Sequence, residues 1–336
     1  MTALPAPTPG PAVALLGLGV YRPARVVPNA EIVDLIGSSD EWIRTRSGIE
    51  TRRFAGADET VVSMSVAASR TALEQAGIAA EQLDCVVVAT VSHLLQTPSA
   101  AAMIAEQLGA TPAAAFDLSA ACAGFCYGVS LASDMVRAGS AQHVLVIGVE
   151  KLSDITDPTD RSTSFIFADG AGAVVVGPTD EHGISPVVWG SDGARYDLIR
   201  QEAPWPVKVD PDPESEKGSH TLRMEGNPVF RWASFEMAKV AKQTLERAGL
   251  TVDDLDVFIP HQANMRITDA MARALKLPPH VAIARDIAQQ GNTSAASVPL
   301  AMERLIADGE ARRGDLALLI AFGAGLVYAA QVVRLP

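Results

Sequence analysis

The sequence predicts an α/β fold built from two copies of one unit, on three observations. The stretch ALEQAGIAAEQLDCVVVAT from Ala72 aligns with TLERAGLTVDDLDVFIPHQ from Thr244 at an offset of 172, sharing Leu73/Leu245, Glu74/Glu246, Gly77/Gly249, Leu83/Leu255 and Asp84/Asp256. Further on, SLASDMVRAG from Ser130, followed by VLVIG from Val144, is similar to PLAMERLIADG from Pro299, followed by LALLI from Leu316. Throughout, amphipathic helical periods alternate with short, continuously apolar runs, the pattern of mainly parallel sheets covered on both faces.

These repeats divide the chain into halves at 13–180 and 181–336, after a Pro-rich stretch over 1–12 (MTALPAPTPGPA) that is expected to be disordered. With 336 residues, 48% of them apolar and 20% charged, there is enough chain for two such units around a large core. In order, the helix from Ala72 stops at Gly77 and leads into the strand CVVVA, where Cys85 reads as core. Asp117 to Gly128 (DLSAACAGFCYG) opens a helix running to about Arg137, and VLVIG follows as a strand. An acidic, Pro-containing stretch at 209–216 (VDPDPESE) reads as a solvated loop. In the second half the helix from Thr244 stops at Gly249, the strand VFIP from Val257 ends at His261, and GNTSAAS from Gly291 opens the last long helix. Residues 316–333 carry no charge over a spanning length. Gly323 and Gly325 divide them, so two strands joined by a tight turn fit better than a membrane span.

Composition narrows the chemistry. The net charge of −12 argues against nucleic acid. Three cysteines and no charged-then-apolar leader argue against export and a disulfide framework, so reduced thiols in a cytoplasm are expected. No CxxC or Cys/His cluster suggests a metal. Cys122 is the candidate nucleophile: a thiol in the first turn of a helix faces unpaired N–H groups and the positive dipole end, which favour thiolate. Ser119, Ala120, Ala121, Ala123 and Gly124 leave room for a substrate to reach it, whereas Cys126, one turn on, reads as packing. The repeat sets Asn292 and His261 at the matching strand end and helix start of the second half. Each alone has an ordinary reading, Asn292 as a capping residue and His261 as a satisfied buried histidine. Together, opposite a helix-capped Cys, they favour a site.

The strings SSDEWIRTRSGI from Ser38, DLSAACAGF from Asp117, DPTDR from Asp157, MEGNPVF from Met224, PHQANMRI from Pro260 and GNTSAASVP from Gly291 closely resemble β-ketoacyl-acyl-carrier-protein synthase III, the condensing enzyme that starts bacterial type II fatty acid synthesis. The resemblance runs from Val13 to Leu335. It implies the thiolase-like fold, a five-layered αβαβα sandwich of two duplicated halves, usually a homodimer. It also implies that Cys122 takes the acyl group from an acyl-CoA primer, and that His261 and Asn292 stabilise the enolate formed when malonyl-acyl carrier protein loses CO2. Backbone N–H groups of Cys122 and Ala324 would hold the tetrahedral oxyanion, with Ala324 expected to be strained at positive φ in a turn that family members commonly build from three glycines. No metal or organic cofactor is required, acyl-CoA being a substrate.

The resemblance further implies a CoA site. Trp42 and Arg161 match the residues that sandwich the adenine, Arg46 a residue near the phosphates, and Gly226 and Asn264 positions lining the pantetheine tunnel. Arg266 and Arg273, with Lys276 near the same helix face, are the candidate docking patch for the acidic carrier protein, while Ala274 replaces another basic position. Thr97 matches a residue that reaches across the dimer to close the partner's acyl pocket, where a Phe restricts some members to acetyl primers. Thr implies a deeper pocket that takes four- or five-carbon and branched chains, unless Leu94, Leu95, Phe125 or Phe167 fills the space. A thiolase would need a second reactive Cys in the C-terminal half, and all three lie at or before position 126. A non-catalytic partner subunit would usually have lost the nucleophile. A starter-unit ketosynthase or acyltransferase of polyketide or other secondary metabolism could use the same three residues.

Overall fold

The computed structural model describes residues 10–204 and 220–336. Strands β1 (Ala12–Tyr21), β4 (Cys85–Ala89), β5 (Ala114–Leu118), β6 (Val144–Lys151) and β7 (Asp169–Thr179) form one sheet in the order β1–β7–β6–β4–β5. Strands β8 (Val188–Ser191), β11 (Val257–Pro260), β12 (Ala282–Ile283), β13 (Leu316–Phe322) and β14 (Val327–Arg334) form another in the order β8–β14–β13–β11–β12, the same order repeated. Two ribbons, β2 (Arg25–Pro28) with β3 (Thr51–Phe54) and β9 (Ile199–Gln201) with β10 (Leu222–Met224), lie outside them. β1 starts at Ala12, within the stretch expected to be disordered. Residues 1–9 of that stretch lie outside the described residues, as does the acidic loop at 209–216.

Alternate residues of the apolar strands serve different layers, because side chains point to opposite faces with period two. Val86, Val88, Leu145 and Ile147 meet the outer helices α2 (Val61–Ala76) and α3 (Ala100–Leu108). Cys85, Val87, Val144 and Val146 face inward onto α4 (Gly124–Arg137) and α8 (Ser297–Ala307), with Val257, Ile259 and Leu319 closing that layer from the second sheet. Phe258, Leu318 and Ile320 point out toward α5 (Gly226–Ala248) and α6 (Met265–Leu275). Five layers result, αβαβα, with α4 and α8 in the middle. Two shorter helices, α1 (Asp40–Ser47) and α7 (Ile287–Gln290), border the site below.

Both halves of the sequence repeat share one local structure. α2 and α5 each stop on a left-handed glycine, Gly77 and Gly249, and the shared Asp84 and Asp256 accept backbone N–H groups from the segment entering the neighbouring strand, Gln142 and His143 in one case and Leu316 in the other. The sheets are mixed, which corrects the expectation of mainly parallel ones. β4 and β11 pair in parallel on both sides, whereas β7 and β14 pair antiparallel on both sides. Residues 323–326 return β13 directly into β14, far too few for a parallel crossover of a dozen or so residues. The first half makes the same antiparallel return through residues 152–168.

Candidate active site

Two short 3-10 turns meet between the sheets: Ala121–Ala123, which leads into α4, and Ser294–Ala296, which leads into α8. Each opens on a residue at positive φ, Ala121 at 44° and Ser294 at 47°. Cys122 sits in the first turn with part of its surface accessible. Gly323 backs directly onto it, since a Cβ there would stand 2.5 Å from Cys122 N and 2.9 Å from Ala121 Cβ. In that turn the left-handed positions are Gly325 at 76° and Leu326 at 45°, so the strain expected at Ala324 is absent. Glycine at 325 takes the conformation at little cost and leaves Ala324 ordinary.

Burial sets the electrostatics. It pushes the Cys122 thiol up to about 12, aided by the nearby Glu150 carboxylate and opposed by a hydrogen bond with Ser294. The expectation that the helix start favours thiolate is therefore reversed at this thiol. The reason is tertiary: the second half closes over a sulfur that the sequence shows only at a helix end. Burial pushes Cys126 to about 12 as well, consistent with packing.

Asn292 and His261 reach the same place from the second half. Asn292 Oδ1 accepts the Ser294 N–H at 2.8 Å, which fixes the amide with Nδ2 as its uncommitted donor. Its backbone is tied to the first half through Asn292 N to Ile166 O and Ala168 N to Asn292 O, both 2.9 Å. His261 follows β11, with Nδ1 2.6 Å from Ser297 Oγ and the ring edge-on to Phe322 at 5.5 Å. Gln262 N–H donates to that hydroxyl at 3.4 Å, leaving the Ser297 proton for Nδ1 and the imidazole proton for Nε2. Burial lowers the His261 pKa to about 3, so the ring is a neutral donor. Ser294, Ser297, Phe322 and Glu150 escaped sequence reasoning. The two serines lay inside the quoted GNTSAAS string, one and two residues past Thr293 and Ala295, whereas only the fold reveals Glu150.

The residues assigned to CoA cluster at a second place. Ser39 caps α1 by accepting the Trp42 N–H, an interaction worth about 1 kcal/mol. Arg161 lies over the Trp42 ring at 4.8 Å and Arg46 at 5.8 Å. Phe165 meets the same ring edge-on at 5.2 Å, and the fully buried Arg52 holds the Phe165 carbonyl at 3.0 Å. Asn264 caps α6 and donates from Nδ2 to Arg46 O at 2.9 Å, which joins this cluster to the segment after His261. Gly226 is exposed at the start of α5, with nothing within 4 Å of where a Cβ would be.

Arg266 and Arg273 are exposed on α6; Arg266 lies over Phe230 at 4.8 Å, and the helix's one acid, Asp269, is engaged by Arg285 at 2.8 Å. Thr97 is exposed on the 91–99 loop of this single chain and is not brought to Cys122. Phe167 is buried and bridges by its backbone to Asn292, while its side chain lines a cavity of about 250 Å³ with Val27, Ile32 and Phe54 that includes none of Cys122, His261 or Asn292.

Sequence comparison matches the family 3-Oxoacyl-[acyl-carrier-protein (ACP)] synthase III over residues 116–193 and its C-terminal region over 245–335. The chain is 60% identical over 333 residues to β-ketoacyl-[acyl-carrier-protein] synthase III 1 of Streptomyces coelicolor, covering 97% of each protein. Among solved structures it is similar to the priming β-ketosynthase of the R1128 polyketide biosynthetic pathway, with a TM-score of 0.95, 48% identity, and 100% and 99% of the two chains covered. It is also similar to 3-oxoacyl-[acyl-carrier-protein] synthase III of Aquifex aeolicus, with a TM-score of 0.88, 38% identity, and 96% and 100% covered. With the duplicated sandwich and the shared site between its halves, the chain belongs to the β-ketoacyl-acyl-carrier-protein synthase III family of condensing acyltransferases.

Proposed function

We propose that the chain starts fatty acid synthesis by joining a short acyl-CoA primer, branched chains included, to malonyl-acyl carrier protein, giving 3-oxoacyl-acyl carrier protein, CoA and CO2. The observation that carries this reading is that Asn292 hangs from the turn whose Ser294 neighbours the Cys122 thiol and His261 packs on Phe322, next to the Gly323 that backs onto Cys122, each with one side-chain donor left over by a hydrogen bond to its other polar atom. Cys122 attacks the primer thioester and keeps the acyl group. The two donors receive the enolate oxygen as CO2 leaves, and its carbon attacks the acyl-Cys122 carbonyl, whose oxyanion is held by the N–H groups of Cys122 and Ala324. No metal or organic cofactor takes part. Trp42, Arg161 and Arg46 bind the CoA nucleotide, Gly226 and Asn264 line the pantetheine path, and Arg266 and Arg273 dock the carrier protein.

A homodimer in the cytoplasm completes the reading. β5 is an open sheet edge with Phe116 38% exposed, a place where a second copy can extend the sheet. Thr97 then closes the partner's acyl pocket. The test is intact-mass analysis of Cys122 after competition between acetyl-CoA and isobutyryl-CoA, in wild type and Thr97→Phe. Wild type is expected to take the branched chain at least as well, and the variant to shift toward acetyl by about 1–3 kcal/mol per methylene excluded. Exclusive acetyl use by wild type, or no shift in the variant, refutes the pocket. The 48% identity to a polyketide priming ketosynthase favours a second reading, in which the acyl group primes a polyketide. Condensation rates with fatty acid and polyketide carrier proteins side by side discriminate the two.

A further inference from the structure

Glu150 is a fully buried carboxylate that the mechanism above does not use. It is the penultimate residue of β6, which packs against the turn that opens α8. Its Oε2 accepts from Ser92 Oγ at 2.6 Å, Val91 N at 3.1 Å and Thr90 Oγ1 at 3.3 Å, which leaves Oε1 to the Ser294 hydroxyl at 3.0 Å. Ser294 in turn neighbours the Cys122 thiol, since the turns that carry them pack together and the hydroxyl acts on the thiol's titration. Thiol, hydroxyl and carboxylate thus follow one another from a partly accessible sulfur into the interior, where Ser294 and Glu150 are buried. Ser294 is held there at positive φ, a backbone state that costs free energy for a non-glycine residue and persists only where its surroundings enforce it.

We propose that Ser294 and Glu150 form a proton path for Cys122, in which the S–H proton passes to Ser294 Oγ while Ser294 passes its own proton to Glu150 Oε1. One S–H bond and one O–H bond break and two O–H bonds form, so the buried charge stays at one negative unit and moves from carboxylate to sulfur. The thiolate pair then makes the bond to the primer carbonyl, the bond to the CoA sulfur breaks, and the departing thiolate takes a proton from water. When condensation expels Cys122 as thiolate, Glu150 returns the proton through Ser294. Ser294 touches the reacting atom, and Glu150 is a positioning residue that acts through it. Burial raises Glu150 to about 7, which makes it a proton acceptor of suitable strength. The groups facing it are the Thr90, Ser92 and Ser294 hydroxyls, the Val91 N–H and the Cys122 thiol. The neighbouring Lys151 directs its ammonium away to Gly56 O, and His261 is turned to Ser297.

This inference rests on Cys122 being the nucleophile, so Cys122→Ala is run beside Ser294→Ala and Glu150→Gln. The measurements are the single-turnover acylation rate with acetyl-CoA from about pH 5.5 to about pH 9, and the rate of malonyl-carrier-protein decarboxylation. Because Glu150 accepts the proton only when ionised, wild-type acylation should rise with pH through an inflection near 7. Ser294→Ala keeps the backbone N–H that orients Asn292, and it should lose that inflection while acylation falls at least tenfold more than decarboxylation. Glu150→Gln should do the same. If it does not fold, Ser294→Ala decides. A wild-type rate and pH profile in Ser294→Ala, or equal loss in both half-reactions, overturns the path. Acylation that survives in Cys122→Ala sinks the nucleophile assignment instead.

Discussion

The turns that open α4 and α8 are the same piece of backbone used twice. Superposed on their positive-φ residues, Ala121 falls on Ser294 and Cys122 on Ala295, and each turn rests against a glycine supplied by the opposite half. In the first half Cys122 meets Gly323. In the second, Ala295 presses its carbonyl toward Gly148, where a Cβ would stand 2.2 Å away. The first copy carries the thiol of Cys122, and the second the hydroxyl of Ser294 and, two residues before it, the amide of Asn292. Duplication therefore delivered two facing helix starts, and side-chain change alone divided the chemistry between them.

That division is broken most completely at the thiol. Cys122→Ala puts the same residue at this position of both turns, and acyl-enzyme should vanish from intact-mass spectra after acetyl-CoA exposure. Next come the donors of the second half: His261→Ala or Asn292→Ala should lower malonyl decarboxylation by about 10²–10³ while leaving acylation largely intact, the usual loss for one oxyanion-type donor. An Asn292→Ala enzyme that decarboxylates at the wild-type rate would contradict the assignment.

The glycine contacts sharpen the contrast. Gly148→Ala should destabilise the fold by about 1–3 kcal/mol through overpacking, measured by denaturant unfolding, because it forces the halves apart. Gly323→Ala puts the same methyl against the Cys122 N–H and should cost more in acylation rate than in stability. A smaller effect is expected at the rim. Arg266→Glu should raise KM for malonyl-carrier protein by about tenfold at low salt with acylation by acyl-CoA little changed, since rim charge acts on encounter.

The smallest expected change is none. His261 is held at about 3 against 6.5 unburied, so its ring stays neutral and decarboxylation should be flat from about pH 8 to about pH 6 as far as imidazole protonation goes. For stability the sign is the acid one. The unfolded chain takes the proton as pH falls below 6.5 and the folded chain refuses it down to about 3, so the contribution of His261 is present above 6.5 and is lost progressively toward 3. An acid-unfolding profile that is less steep below pH 6.5 in His261→Ala than in wild type, each taken relative to its own stability at neutral pH, checks this.

Much of the fold was legible because duplication and apolar runs are written in residue order: CVVVA, VLVIG, VFIP and LALLI became the central strands. The antiparallel return of β7 was not, since residues 152–168 include a turn signal at Asp157-Pro158 but nothing that sets the direction in which the chain re-enters the sheet. Cys122, His261 and Asn292 stood at readable strand ends and helix starts. The shift of the thiol toward its neutral form was unreadable, because it comes from the second half closing over the sulfur. Glu150 was not singled out from the sequence at all; its burial depends on hydroxyls from residues 90–92 and 294 that only folding assembles. At Ala324 the sequence suggested strain, and the turn relocates it one and two residues on.

The seclusion of the Cys122 sulfur bears on survival as well as catalysis. Peroxide and alkylating drugs consume thiolates far faster than thiols, and the first step of irreversible sulfur oxidation needs the same charged form. With its pKa raised by burial, the Cys122 thiol should therefore outlast an oxidative burst that consumes cysteines standing permanently ionised.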